Sequence, residues 1–147
     1  MEKLNLQRNR EDFYIIEVNE KGDTITFDLT DIGLPEKILK ASDNIKKLDE
    51  EFKENALKLK DENLDELELT RKYIKMEKEM CLKMRKEFDS FMGDGACDKI
   101  FGDSNYYGMF WQLFDALDPH FKKMKIKSQK AKRKLVDKYL SVEKDVM

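Results

Sequence analysis

The stretch that decides the fold is "FMGDGACDKIFGDSNYYGMFWQLFDAL", residues 91–117. It holds four of the chain's six glycines, the phenylalanines Phe91, Phe101, Phe110 and Phe114, and the single tryptophan, Trp111. The flanking sequence is mostly Lys, Glu and Leu. Backbone freedom and aromatic bulk are therefore concentrated where the chain turns and where a core or a docking face must be built. Gly93 and Gly95 suit the left-handed conformation that ends a helix. "ACDKIFG" fits a short helical turn closed by Gly102. Asp103, Ser104 and Asn105 are cap-type residues before a new helix. Tyr106, Tyr107, Phe110, Trp111, Phe114 and Leu117 then cover much of a short aromatic helix.

Upstream, Leu67, Thr70, Ile74, Glu77, Cys81, Met84, Phe88 and Phe91 recur at three- and four-residue spacing, with Met76 and Met80 widening the stripe. This predicts a helix over 64–92, about 43 Å long at 1.5 Å per residue. An earlier helix opens at Pro35, which suits a first helical turn. It carries Leu34, Ile38, Ala41, Ile45, Leu48 and Phe52 as a narrow coiled-coil-like seam. Near Asp61 the pattern blurs. Either the chain turns back into a helical hairpin, with Asp61 or Asn63 capping the new helix, or it runs on through a polar stretch. The turn is the expectation adopted.

At the other end, residues 13–18 ("FYIIEV") are β-rich. In residues 24–29, Ile25, Phe27 and Leu29 alternate with Thr24, Thr26 and Asp28, the period of a half-buried strand. "NEKGD" between them supplies Gly22 for a turn. The expectation is a β-hairpin that must pack on the helices or pair its edge, because an isolated hairpin is marginal in water. Downstream, Pro119 either breaks the chain or opens a last helix capped by Asp118. The fold class is thus mainly α with an N-terminal β-hairpin (α+β). It is read as one domain: a hairpin region at 1–33, a helical core at 34–118 and a basic C-terminal helix or tail at 119–147.

The chain of 147 residues is 41% charged, against about 25% in an average protein. That suits long solvated helices with one apolar stripe each. The net charge of −2 dictates neither a nucleic-acid nor a membrane partner. No apolar run suggests a signal peptide or a membrane span, so a cytoplasmic protein is expected. Cys81 and Cys97 match no metal spacing and read as reduced thiols.

Catalytic signals are weak. His120, the only histidine, has no framed nucleophile beside it. The carboxylates interleave with lysines as ordinary helix-surface pairs. "GDGACDKIFG" follows no strand, has Asp98 where G-x-G-x-x-G needs glycine, and lacks the P-loop Gly-Lys-Ser/Thr. No EF-hand loop is present. No cofactor, metal or catalytic residue is expected. The run from Lys122 to Lys138 holds nine Lys/Arg against Asp137 alone. Lys130, Lys132, Arg133 and Lys134 are its centre and the best nucleic-acid signal. No aromatics interleave with it for base stacking, so a solvated helix or a docking face for an acidic partner is the competing reading. The aromatic helix reads as core, with part of its stripe free to serve as a partner groove.

Residues 84–121, "MRKEFDSFMGDGACDKIFGDSNYYGMFWQLFDALDPHF", resemble tail assembly chaperones of long-tailed phages and prophages of Gram-positive bacteria. The likeness lies in Phe88, Phe91, Gly93, Gly95, Lys99, Ile100, Phe101 and Gly102, followed by the apolar helix Tyr106 to Leu117. The order of hairpin, charged helices, this turn and a basic tail is also similar; the density of aromatics in the last short helix departs from it. The resemblance implies a non-enzymatic protein that self-associates and coats the tape-measure protein before the tail tube polymerises, with the tail tube protein a further possible contact. It implies action in the bacterial cytoplasm and absence from the mature virion. Phe101, Tyr106, Tyr107, Phe110, Trp111 and Phe114 are the expected partner-binding residues, and Gly93, Gly95 and Gly102 the structural turn. The alternatives are a nucleic-acid-binding accessory protein using the basic segment and a coiled-coil structural protein of the virion.

Overall fold

A computed structural model describes residues 1–6 and 8–125. After a short 3-10 turn at Arg10–Asp12 come strands β1 (Phe13–Glu17) and β2 (Thr24–Asp28), then helices α1 (Leu34–Asp61), α2 (Glu66–Met92) and α3 (Ala96–Phe101). A fourth helix, α4, runs from 109 to the last described residue, 125. The strands pair antiparallel with Tyr14 opposite Phe27 and Ile16 opposite Ile25. Those four side chains share the inner face of the hairpin, as the period-two pattern requires.

The loop of the hairpin is organised by Asn19. Its Oδ1 accepts from the backbone N–H groups of Lys21 and Asp23, and its Nδ2 donates to the carbonyl of Lys99 in α3. Lys99 answers by donating its ammonium to the carbonyl of Thr24. The hairpin is thus pinned to α3 at its tip and buried on the helices through Tyr14, Ile25 and Phe27. Each such burial stabilises by about 1.5–3 kcal/mol. Tertiary packing, rather than the two-stranded ladder, holds the hairpin in place.

α1 and α2 form the helical hairpin. The turn falls at residues 62–65, and the cap is Asp65, whose Oδ1 accepts from Glu68 N–H at 2.8 Å. Asp61 instead ends α1 and Asn63 lies in the connection. All three have capping chemistry; the alignment of the two long helices selects among them.

Pro119 neither breaks the chain nor opens a new helix. α4 continues through it, and Asp118 pairs with Lys122 at 3.0 Å rather than capping. An interior proline removes one helical hydrogen bond and costs about 3 kcal/mol. Here Met109, Phe110, Leu113 and Leu117 before it, and Met124 after it, are buried in one contiguous core. That burial outweighs the cost. The aromatic segment and the start of the basic segment therefore share one helix across the 118/119 boundary.

At the centre of the core stands Phe88, fully buried. Its ring stacks on Phe110 (5.6 Å between centroids) and meets Phe114 edge-on (4.9 Å). Phe91 and Phe27 both reach Phe121. The aromatic rings of α2, α4 and the hairpin thus converge on one core.

Candidate functional site

The glycine-rich turn is built by three residues of α2. Gly93 caps α2 at φ 108°, Gly95 starts α3 at φ 78° and Gly102 ends it at φ 60°. A residue with a Cβ is strained at all three. Asp89, one turn before Gly93, accepts from Cys97 N–H at 2.9 Å, which satisfies an orphan donor of α3. Arg85, a turn earlier, spreads its guanidinium over the chain beyond. It donates to Asn105 Oδ1 (2.9 Å), Asp98 Oδ1 (2.9 Å) and the carbonyls of Gly102 (2.9 Å) and Ser104 (2.7 Å). Its side chain is only 11% exposed. Glu77, two turns before Arg85, accepts from Tyr107 N–H at 2.9 Å. Glu77, Arg85 and Asp89 line one side of α2 and fix the path from Cys97 to Tyr107.

That path distributes the aromatic residues. Phe110 is fully buried, so in this conformation it belongs to the core. Phe101 is half-buried, edge-on to Phe110 at 5.6 Å, with the Arg85 guanidinium 5.8 Å from its ring centre. Tyr107 stacks on Phe52 of α1 at 4.5 Å, and Trp111 stacks on Phe114 at 5.8 Å. Tyr107, Trp111 and Phe114 are each half-buried, and Tyr106 is exposed, its hydroxyl donating to Gln112. Lys130, Lys132, Arg133 and Lys134 lie outside the described residues.

Sequence reasoning missed Arg85, Asp89 and the link between Tyr14 and His120, whose hydroxyl and Nδ1 are 2.8 Å apart. It placed Glu77 in the apolar stripe. The available signal was the row 77, 81, 85, 89, in which the charged residues Glu77, Arg85 and Asp89 share one helical row with Cys81 at four-residue steps beside the core face.

Exposed apolar side chains lie elsewhere: Leu57 on α1, and Leu67, Ile74 and Leu82 on α2, are each about half exposed or more. Two shallow cavities accompany them. One of about 280 Å³ is lined by Ile74, Glu77, Lys78, Asp103 and Asn105. The other, of about 250 Å³, lies between α1 and α2 near their connection and is lined by Ala56, Leu59, Lys60, Leu69, Thr70 and Tyr73. Both cysteines are buried and free; burial pushes the Cys81 thiol up, and the Cys97 thiol well above the usual thiol range. Among the described residues no group of three or more His, Cys, Asp or Glu could hold a metal ion. Nor is any described helix long and apolar enough to cross a membrane.

A family model matches residues 21–145, a span that takes in the hairpin loop and the described helices α1 to α4. The chain belongs to that family, DUF6673, which is described as a family of unknown function. No curated protein matches the chain at a significant level. No solved structure does so either.

Proposed function

We propose that this protein is a non-enzymatic tail assembly chaperone that self-associates and binds the tape-measure protein during tail assembly. The observation that carries the reading is the element at residues 84–121, whose sequence resembles those chaperones. Its glycine turn, Arg85 and Asp89 form a structural joint, with their polar groups engaged within the turn itself. A chaperone of this kind acts through exposed apolar surface. Leu67, Ile74 and Leu82 along α2, together with the exposed Tyr106, offer such surface. A tape measure is a long helical protein whose apolar faces would otherwise aggregate, and helix-on-helix docking would cover them. Many weakly bound copies along one chain would hold by multivalency.

The test is co-expression with the tape-measure protein encoded nearby. A soluble tape measure that co-purifies with this chain is the expected result. An insoluble tape measure and a chain that purifies alone would contradict the reading. Mass spectrometry of mature particles separates the virion-structural alternative, because a chaperone is absent there. Salt-sensitive retention of DNA or RNA by the chain would favour the nucleic-acid alternative, which draws on the basic run from Lys122 to Lys138.

A further inference from the structure

We infer that the open edge of β1 is the docking site for β1 of a second copy of this chain, the two strands running antiparallel about Ile15. The hydrogen-bond phase of the hairpin defines that edge. Val18 N–H donates to the Asp23 carbonyl and Leu29 N–H to the Asp12 carbonyl. Tyr14 and Ile16, in the same phase, therefore turn their backbone groups toward β2. The N–H and C=O of Ile15 and Glu17, and the C=O of Phe13, point the other way, and no described residue bonds to them. Phe13 N–H is taken by the Arg10 carbonyl. Sheet edges are ordinarily guarded by lysine, proline, a bulge or a covering element. β1, "FYIIE", has no lysine or proline, its register is unbroken, and Ile15 is 50% exposed. The β2 edge is interrupted instead: the Thr24 carbonyl accepts from the Lys99 ammonium, and the Asp28 carbonyl from Asp31 N–H.

Self-complementarity selects the occupant. Centred on Ile15, an antiparallel second β1 sets Ile15 opposite Ile15 and Phe13 opposite Glu17. The two Ile15 residues exchange N–H and C=O, and each Glu17 N–H reaches the other copy's Phe13 carbonyl. The Glu17 carbonyls stay with water, because Phe13 N–H is engaged within its own chain. On the solvent face the same register answers charge. The Arg8 guanidinium lies over the Phe13 ring, 4.5 Å from its centre, and uses Nη2 for Asp28 and Thr30. Its Nε and Nη1 bond to nothing among the described residues. Glu17 is exposed and forms no ion pair among the described residues. In the paired sheet each Glu17 carboxylate stands beside the Phe13 it opposes, within reach of the Arg8 that covers that ring. Arg8 then lies between Asp28 of its own chain and Glu17 of the other.

The remaining charges at the two ends of β1 do not oppose this pairing. Asp12 accepts from Asn9 N–H, and Asp23 accepts from the Asn19 amide, each within its own turn. Arg10 and Glu11 at one end meet Glu20 and Lys21 of the second copy at the other, one charge of each sign on each side. The contact is isologous: the same edge is used on both copies, so it closes at a dimer. The two-stranded sheet becomes one of twice the width, which suits a ladder too narrow to be stable alone. The inference deepens the self-association part of the proposed function and rests on it, but it requires no tape measure.

The test uses the full-length chain and sedimentation velocity. The wild-type chain is expected to dimerise. Ile15→Lys should weaken the dimer by about tenfold or more, because it sets two ammonium groups opposite each other at the centre of the new ladder. Arg8→Glu alone and Glu17→Arg alone should each weaken it by about tenfold or more, because like charges then face each other at both symmetric contacts. Mixing these two variants equally should restore a dimer, since each contact again holds one charge of each sign. All variants should keep the wild-type helical circular-dichroism signal. A wild-type chain that is monomeric at all concentrations, whichever segment then covers the edge, would overturn the inference. So would an Ile15→Lys chain that assembles like wild type, or folded Arg8→Glu and Glu17→Arg chains that fail to pair when mixed. If Ile15→Lys loses its helical signal, the charge-reversal mixture decides alone, because Arg8 and Glu17 are both exposed. Tape-measure binding is read separately by co-expression. A chain that carries the tape measure but fails the mixing test overturns this inference alone.

Discussion

Arg85 donates an Nη2 hydrogen to the backbone carbonyl of Gly102 at 2.9 Å, across 17 residues of sequence. The same side chain also reaches the Ser104 carbonyl and Asn105. One planar fork thus holds the exit of α3 against the face of α2. The ion pair to Asp98 is the weaker part, because that carboxylate is 79% exposed and exposed pairs contribute about 0–1 kcal/mol. Hydrogen bonds from a charged donor to otherwise orphaned carbonyls count for more.

Arg85→Met should destabilise the fold by about 2–4 kcal/mol, given about 1.5–3 kcal/mol for a charge-assisted bond and incomplete additivity. Arg85→Lys should recover little, because an ammonium cannot reproduce the fork. Asp98→Asn should cost less than about 1 kcal/mol. Urea denaturation midpoints of the three variants give the order directly.

The three positive-φ glycines of the turn around α3 should not respond alike. No atom would obstruct an added Cβ at Gly93, Gly95 or Gly102, so the cost is backbone strain alone. Gly95, at φ 78° and ψ 4°, is left-handed helical, and Gly95→Asn should be tolerated at about 1 kcal/mol or less. Gly93, at φ 108° and ψ 154°, and Gly102, at φ 60° and ψ −135°, lie where hardly any residue but glycine goes. Alanine there should cost about 1–3 kcal/mol. Equal losses at all three sites, measured by thermal unfolding, would refute this ordering.

Core and surface aromatics should separate cleanly. Phe110→Ala should cost about 3–5 kcal/mol, since it empties a fully buried site beside Phe88. Tyr106→Ala should change stability by about 0.5 kcal/mol or less, because the ring is 47% exposed. A partner affinity lost in folded Tyr106→Ala, Trp111→Ala or Phe114→Ala would mark the interface. A loss in Phe110→Ala would report unfolding, and circular dichroism on the same samples distinguishes the two.

The Arg8 guanidinium, 2.8 Å from Asp28, holds that carboxyl down to about 2, helped by Thr30. A carboxyl depressed in the folded state contributes stability fully above its unfolded value, near 3.8. The contribution fades as pH falls through about 2. Arg8→Ala should raise the Asp28 midpoint toward the usual carboxylate range in an NMR titration. Stability above pH 5 should change little, because the pair is exposed.

The thiols should be silent in the folded protein. Cys81 and Cys97 are fully buried, with both thiols held protonated by burial. A thiol reagent at neutral pH should label neither until denaturant unfolds the chain, because the thiolate is the reactive form. Rapid labelling of the native protein would contradict the packing around α3.

The β-hairpin was legible because Ile25 and Phe27 alternate with Thr24 and Thr26. The helical hairpin was legible because one apolar stripe ends and another begins around a polar stretch. The identity of the cap was not, since Asp61, Asn63 and Asp65 offer the same chemistry within five residues. Pro119 misled the reading for the opposite reason: its local cost is plain, while the burial of Leu117 and Met124 that outweighs it is tertiary. The glycine turn was visible as a turn. Arg85 and Asp89 were not, because the backbone and side-chain groups they bond lie 8 to 20 residues away. Among the expected partner residues, Phe110 and Tyr106 looked alike in sequence and ended at opposite extremes of burial.

The most direct test of the central claim is light scattering after size-exclusion chromatography of the chain co-expressed with its tape-measure protein. The proposed function predicts one soluble species whose mass requires several copies of this chain per tape measure. A chain that elutes alone, with the tape measure left insoluble, would contradict it.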